Sequence, residues 1–159
     1  MKIEEIAKLM VAKGRGILAA DESTGTMGKR LKSVNIESNE KNRLHFRETL
    51  FTSSAMKSSI SGFILYDETI KQSSSQGIPI PELIKKNGSI PGINVDKGVK
   101  LLAGSSGEKI TEGLDGLKER MDEYYKLGAR FAKWRAVYSI SSNQPSEQCI
   151  KANAHALAR

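Results

Sequence analysis

The 159-residue sequence predicts an α/β fold built on a parallel sheet, and three observations carry that reading. Short apolar runs rich in Ile, Val, Leu and Ala stand between longer segments of helical periodicity. The runs are continuous enough to suit strands covered on both faces. The two kinds of segment alternate, a helix first and then strand and helix repeated, which is the order of a sheet covered by helices.

Taken in order, Ile3, Ile6, Ala7, Leu9 and Met10 recur at helical spacing, so residues 2–12 read as an amphipathic helix that Gly14 ends. GILAA at 16–20 is the first strand and runs into Asp21. Residues 26–34 and 40–53 are helical, and ISGFILYD at 60–67 is the second strand. A polar loop leads to a short helix around 81–86, then PGINVDKG at 91–98 forms the third strand. AGSSGEK at 103–109 is a glycine-rich loop, and 113–129 is a helix with Leu114, Leu117, Met121, Tyr124 and Tyr125 in one stripe. RFAKWRAVYSI at 130–140 is the fourth strand, and a last helix opens near Pro145 or Ser146.

Two details favour part of a β/α barrel over an open doubly wound sheet. No Gly-x-Gly-x-x-Gly turn follows a strand, and polar residues fall inside the fourth strand. A barrel turns alternate side chains toward a common axis and carries chemistry at the C-terminal face.

Composition narrows the function. Apolar content of 38% and charged content of 27% are near globular averages, which argues against broad disorder, and the length suits one domain. The net charge of +7 fits an anionic partner, but the basic residues are dispersed and no aromatic platform accompanies them, against a nucleic-acid-binding module. A single cysteine, Cys149, excludes an internal disulfide and favours a reducing, cytoplasmic setting. His45 and His155 have no partner at metal-ligand spacing, so no metal is expected. The N-terminus lacks the apolar core of a secretory signal, and no run approaches the ~18 residues of a membrane span.

Strand alternation selects the candidate site. It groups Ile17, Ala19 and Asp21, then Ile93, Val95 and Lys97, then Phe131, Lys133 and Arg135. If these faces point inward, one carboxylate and three cations meet at one mouth, where burial and neighbouring cations depress a lysine pKa. A structural ion pair such as Asp21 with Lys133 is the plainer alternative. After the first strand, Ser23, Thr24, Gly25 and Thr26 offer hydroxyls and N–H groups at a helix start, able to hold a phosphate oxygen or simply to cap the helix through Thr24 or Thr26. Lys29 and Arg30 follow one turn later. The loop at 103–109 lacks the Walker lysine pattern.

LAADESTGTMGKRL, VDKGV, GLDGLKERMDEYYKLGARFAKWR and NAHALAR resemble class I fructose-bisphosphate aldolase, from about residue 3 to the end. The resemblance implies the first half, about four β/α units, of a (β/α)8 TIM barrel, with residues 1–159 forming the N-terminal portion of a single barrel domain. It implies glycolytic lyase chemistry: reversible cleavage of fructose 1,6-bisphosphate into dihydroxyacetone phosphate and glyceraldehyde 3-phosphate through a lysine Schiff base, without metal or cofactor. By the same resemblance Asp21 orients substrate and assists carbinolamine chemistry, and Lys133 binds substrate and moves protons. Ser23, Thr26 and Lys97 hold one phosphate, Arg30 lies near the other phosphate or the substrate chain, Arg135 joins Lys133, and Arg43 is peripheral. The implied partners are a phosphorylated sugar and, for the intact enzyme, further copies in a homo-tetramer; neither nucleic acid nor membrane is implied. Family members are more than twice as long, with the Schiff-base lysine on a sixth strand. The chain therefore reads as a fragment that is inactive and prone to associate by itself, the alternative being a non-catalytic half-barrel that binds sugar phosphates.

Overall fold

A computed structural model describes residues 1–159. In chain order it contains α1 (Ile3–Met10), β1 (Gly16–Ala20), α2 (Thr24–Ser33), α3 (Glu40–Thr52), α4 (Ser54–Ser59), β2 (Ile60–Leu65), α5 (Asp67–Ile70), α6 (Ile80–Lys86), β3 (Ile90–Asn94), β4 (Val99–Leu101), β5 (Lys109–Thr111), α7 (Leu117–Leu127), β6 (Phe131–Lys133) and α8 (Glu147–Ala158). One sheet has the order β1-β2-β3-β6, and β4 and β5 form a separate antiparallel pair. The chain gathers into two compact units, Met1–Asn94 with Glu123–Ala132, and Val95–Asp122 with Lys133–Arg159.

In the first unit β1, β2 and β3 run parallel, which requires the helical crossovers that the sequence pattern announces. Register decides which residues share a face. Ile17 pairs with Gly62, Ala19 with Ile64, and Ile64 with Gly92. The opposite face carries Leu18, Phe63 and Pro91 in one row and Ala20, Leu65 and Ile93 in the next. This second face holds the core: Ala20, Phe63, Leu65 and Ile93 are buried, together with Met27 and Leu31 of α2, Phe51 of α3 and Ile80 and Ile84 of α6. Phe51 meets Phe63 edge to face at 5.2 Å between ring centroids, a geometry that adds to the gain from area burial. The first face is more open, and Ile17 remains 42% exposed. Phe131 fills it beside β2 and β3, where a Cβ on Gly92 would lie 2.3 Å from its ring and one on Gly62 3.1 Å away.

Side chains also tie the N-terminal ends of these strands. Arg15 donates to the carbonyls of Lys57, Ile60 and Gly88 at 3.0, 2.6 and 3.3 Å. Ser61 donates to Met10 at 2.6 Å and Ser89 to Ile60 at 2.7 Å. These bonds give the backbone carbonyls of Met10, Lys57, Ile60 and Gly88 side-chain donors, and they join the segments that lead into β1, β2 and β3.

In the second unit β4 and β5 pair from Val99 opposite Thr111 to Leu101 opposite Lys109. α8 is anchored beside them. Its N-cap, Ser146, accepts from the Cys149 amide at 3.2 Å, while buried Glu108 accepts from the Ser146 amide at 2.7 Å and its hydroxyl at 2.5 Å. Asn153 is fully buried and donates to the Lys109 carbonyl at 2.9 Å.

Several expectations need correction. The third strand, expected over 91–98, ends at Asn94. Asp96 accepts from the Gly98 amide at 3.0 Å, and Gly98 takes φ +95°, so Asp-Lys-Gly is a turn into β4 rather than more strand. The loop expected at 103–109 is present up to Glu108, but it joins the two strands of an antiparallel hairpin, β4 and β5, that the sequence did not suggest. The fourth strand, expected over 130–140, is only Phe131–Lys133. α2 starts at Thr24, and its cap is Ser23 rather than Thr24 or Thr26. Finally, register places Ile93 on the helix-covered face with Leu65, so the side of β3 that matches Ile17 and Ala19 carries Gly92 and Asn94.

Candidate active site

In the first unit the candidate residues gather after β1, where the strand turns into α2. Asp21 is half-buried, and the side-chain amide of Asn94 donates to its Oδ2 at 2.6 Å. This bond follows from the corrected alternation, because Asn94 stands on the same side of β3 as Gly92. Two residues on, Ser23 accepts from the Thr26 amide at 3.3 Å, and its hydroxyl lies 3.1 Å from that of Thr26. The two hydroxyls expected to hold phosphate therefore form one pair on the first turn of a ten-residue helix, where amide dipoles favour an anion.

Arg30 and Arg43 are held by carboxylates that sequence reasoning did not single out. Arg30 donates to Glu22 Oε1 at 2.5 Å. Arg43 grips Glu68 with Nε at 3.0 Å and Nη2 at 2.5 Å, and donates to the Ser38 carbonyl at 3.1 Å. Between these pairs lies Arg47, which is completely buried. It donates to the backbone carbonyl of Glu22 at 2.5 Å, reaches Glu68 at 3.5 Å and stands 5.9 Å from the centre of the Tyr66 ring. The chain of contacts Arg43–Glu68–Arg47–Glu22–Arg30 thus passes through Glu22, the residue between Asp21 and Ser23.

Electrostatics in this chain follow contact. The hydrogen bond from Arg43 holds the Glu68 carboxyl below its ordinary range, against the opposing pull of burial. The same bond raises the Arg43 guanidinium. Burial lowers the Arg47 pKa, with Glu68 and Glu22 acting to keep it charged.

In the second unit Lys97 is exposed, and its amide donates to the Glu112 carbonyl at 2.8 Å. Gly113, at φ +129°, packs so closely that a Cβ there would sit 2.9 Å from the backbone nitrogen of Lys97. The half-buried Lys133 accepts through its carbonyl from the Val95 amide at 3.1 Å, which sets its backbone beside the segment carrying Lys97. The Arg135 carbonyl accepts from the Thr111 hydroxyl at 2.5 Å, and its side chain is exposed. Arg120 of α7 donates to the carbonyls of Val95 at 3.0 Å and Gly113 at 2.6 Å. Trp134 is half-buried, with an indole N–H that is buried without a partner. No three His, Cys, Asp or Glu side chains are grouped to share a metal ion.

Asn94, Glu22, Glu68, Arg47 and Arg120 are the residues that sequence reasoning missed. One signal was available: Arg43 and Arg47 are four apart on a helix, hence on one face, and an apolar helix face that carries two arginines calls for acidic partners.

A family model for fructose-bisphosphate aldolase class-I matches residues 2–159. A probable fructose-bisphosphate aldolase class 1 of Xylella fastidiosa is 57% identical over 158 residues, covering 99% of this chain and 47% of that protein. The cytoplasmic isozyme 1 of fructose-bisphosphate aldolase from Pisum sativum is 56% identical over 153 residues, covering 96% of this chain and 43% of the relative. Among solved structures, the fructose-bisphosphate aldolase of Plasmodium falciparum, in complex with TRAP and a small-molecule inhibitor, superposes with a TM-score of 0.94 at 44% identity. That match covers 98% of this chain and 46% of the solved one, so the strands described above correspond to about half of an aldolase barrel. The chain spans just under half the length of the curated relatives it matches, and it belongs to the class-I fructose-bisphosphate aldolase family.

Proposed function

We propose that this chain supplies the first four strands of a class-I aldolase that reversibly cleaves fructose 1,6-bisphosphate into dihydroxyacetone phosphate and glyceraldehyde 3-phosphate. The observation that carries the reading is the end of β1, where a carboxylate held by Asn94 stands two residues before a hydroxyl-capped helix N-terminus. A carboxylate there suits proton handling, and a helix N-terminus suits a phosphate.

In the proposed reaction a lysine amine adds to the substrate ketone, and the carbinolamine loses water to give an iminium. The C4 hydroxyl then gives up its proton, the C3–C4 bond breaks, and its electrons pass into the iminium to leave an enamine. Asp21 orients the substrate and handles protons in the carbinolamine steps. Lys133 contacts substrate and moves protons, with Arg135 beside it. Ser23, Thr26 and Lys97 bind one phosphate, Arg30 reaches the other phosphate or the substrate chain, and Arg43 acts from further out. The imine-forming lysine is neither Lys97 nor Lys133. The intact enzyme works in the cytoplasm as a homo-tetramer; no helix of this chain is long and apolar enough to cross a membrane.

The test is a chimaera in which residues 2–159 replace the matching segment of the Xylella relative. It should cleave fructose 1,6-bisphosphate, and Lys133→Ala should lower kcat by about 10²–10⁴-fold. Borohydride trapping with dihydroxyacetone phosphate should leave Lys97 and Lys133 unmodified. An inactive chimaera, or a trapped adduct on either lysine, overturns the reading.

A further inference from the structure

We infer that Arg47 is a positioning residue for the turn that carries Asp21 and Ser23. This rests on the proposed function for its catalytic consequence, and on geometry alone for the clamp itself.

A fully buried guanidinium is an expensive way to fill space, because the charge must leave water, and an apolar side chain of similar volume packs α3 more cheaply. What an apolar side chain cannot do is donate. The shortest bond of Arg47 goes to the carbonyl of Glu22, at 2.5 Å. Its ionic contact with Glu68 is longer, at 3.5 Å, while Arg43 already holds Glu68 at 2.5 Å. Glu68 thus has a stronger partner elsewhere, and the distinctive contact of Arg47 is the backbone of the turn.

The position of that carbonyl matters. Glu22 lies between Asp21 and Ser23, so the direction of its peptide group fixes how the backbone leaves Asp21 and enters the helix cap. The side chain of Glu22 is held separately by Arg30 at 2.5 Å. One residue is therefore held at both its backbone and its side chain. Arg47 projects from the thirteen-residue α3, a stiffer base than a loop, so the turn is referred to a helix. A displacement near 1 Å at a reacting group costs about 10²-fold in rate, which is the scale on which such a clamp acts.

The experiment uses the chimaera with Arg47→Met and Arg47→Lys, and Phe51→Leu as a packing control one turn along the same buried helix face. Hydrogen–deuterium exchange is followed in peptides spanning 18–27, with peptides spanning 80–90 as reference. Arg47→Met should speed exchange over 18–27 by about tenfold and leave the reference slow, since the change is a local opening. Its kcat should fall at least about tenfold with KM changed less than about threefold, because Asp21 acts in the chemical steps while Ser23 is one of several phosphate contacts. Arg47→Lys keeps a donor and should restore part of kcat; it also serves if Arg47→Met fails to fold. Unchanged exchange over 18–27 in both variants overturns the clamp. A loss of kcat per folded protein in Phe51→Leu equal to that in Arg47→Met overturns its catalytic role. A parent chimaera that folds but does not cleave substrate overturns the proposed function instead, and the exchange readout still decides the clamp.

Discussion

Arg47 in the first unit and Arg120 in the second both reach from a helix to backbone carbonyls beside a proposed substrate residue, yet they do so in different company. Arg47 is completely buried and lies among Glu68, Glu22 and Tyr66. Arg120 is half-buried and donates to the neutral carbonyls of Val95 and Gly113. The difference shows two ways to stiffen a segment. A buried charge needs carboxylates to offset its desolvation, so it brings a network that responds to protonation. A charge nearer to water can hold carbonyls without that network, and close packing around Gly113 helps to fix Lys97.

The comparison breaks most readily at Arg47. Arg47→Met should destabilise the chimaera by about 3 kcal/mol, because it removes one member of a buried ionic cluster and leaves the Glu22 carbonyl unpaired. Urea denaturation measures this. Arg120→Met leaves two carbonyls short of a donor but isolates no buried charge, so about 1–2 kcal/mol is expected. Equal losses would mean that the carboxylates around Arg47 add nothing.

A change of comparable size touches neither arginine. Gly92→Ala would place a Cβ 2.3 Å from the Phe131 ring, and overpacking of this kind costs about 1–3 kcal/mol. Phe131→Leu in the same chain should recover part of the loss, and a double-mutant cycle reads the coupling directly. Additive losses would show that the ring moves aside freely.

That glycine also marks the limit of what the sequence discloses. Strand positions were legible because GILAA, ISGFIL and the stretch around PGIN are short apolar runs between periodic helices, and the family was legible from AADESTG and FAKWR. Register was not. Counting alternate residues back from Lys97 groups Val95 and Ile93 with it, but pairing through Ile64 puts Gly92 and Asn94 on the Asp21 side. A shift of one residue reverses every side chain in a strand, and nothing local in INVDKG reveals which parity holds. The hairpin β4–β5 was hidden for a related reason: an apolar run that ends in Asp-Lys-Gly continues or turns according to one side-chain bond, from the Gly98 amide to Asp96. Arg47 escaped notice because a helix arginine usually faces water, and only the fold places Glu22 and Glu68 beside it.

Acid should probe the network around Arg47 more finely. The hydrogen bond from Arg43 depresses the folded-state pKa of Glu68, so the unfolded chain takes up its proton first as pH falls. The stability Glu68 contributes is therefore complete above the ordinary carboxylate range, near ~4.3, and is lost as pH drops through its lower folded value. Exchange over 18–27 should be flat from pH 7 to 5, after correction for intrinsic rates, and should quicken below about pH 4. Glu68→Gln should remove that step. An acid step over 18–27 that survives in Glu68→Gln would assign the acid response of the turn to another carboxylate and separate it from Arg43 and Glu68.

The smallest effect is expected where the network reaches solvent. The Arg30 side chain is 54% exposed while its partner Glu22 is 12% exposed. Water screens the pair and ordering the arginine costs entropy, so Arg30→Ala should shift stability by no more than about 1 kcal/mol. Kinetics should be more sensitive than stability. If Arg30 meets substrate, its removal raises KM for fructose 1,6-bisphosphate, whereas loss of a support for Glu22 lowers kcat through the turn at Asp21. An increase in KM with kcat intact would assign Arg30 to the ligand and leave Arg47 as the arginine that controls the turn. A fall in kcat like that of Arg47→Met would instead make both arginines parts of one support and erase the distinction between its buried and exposed ends.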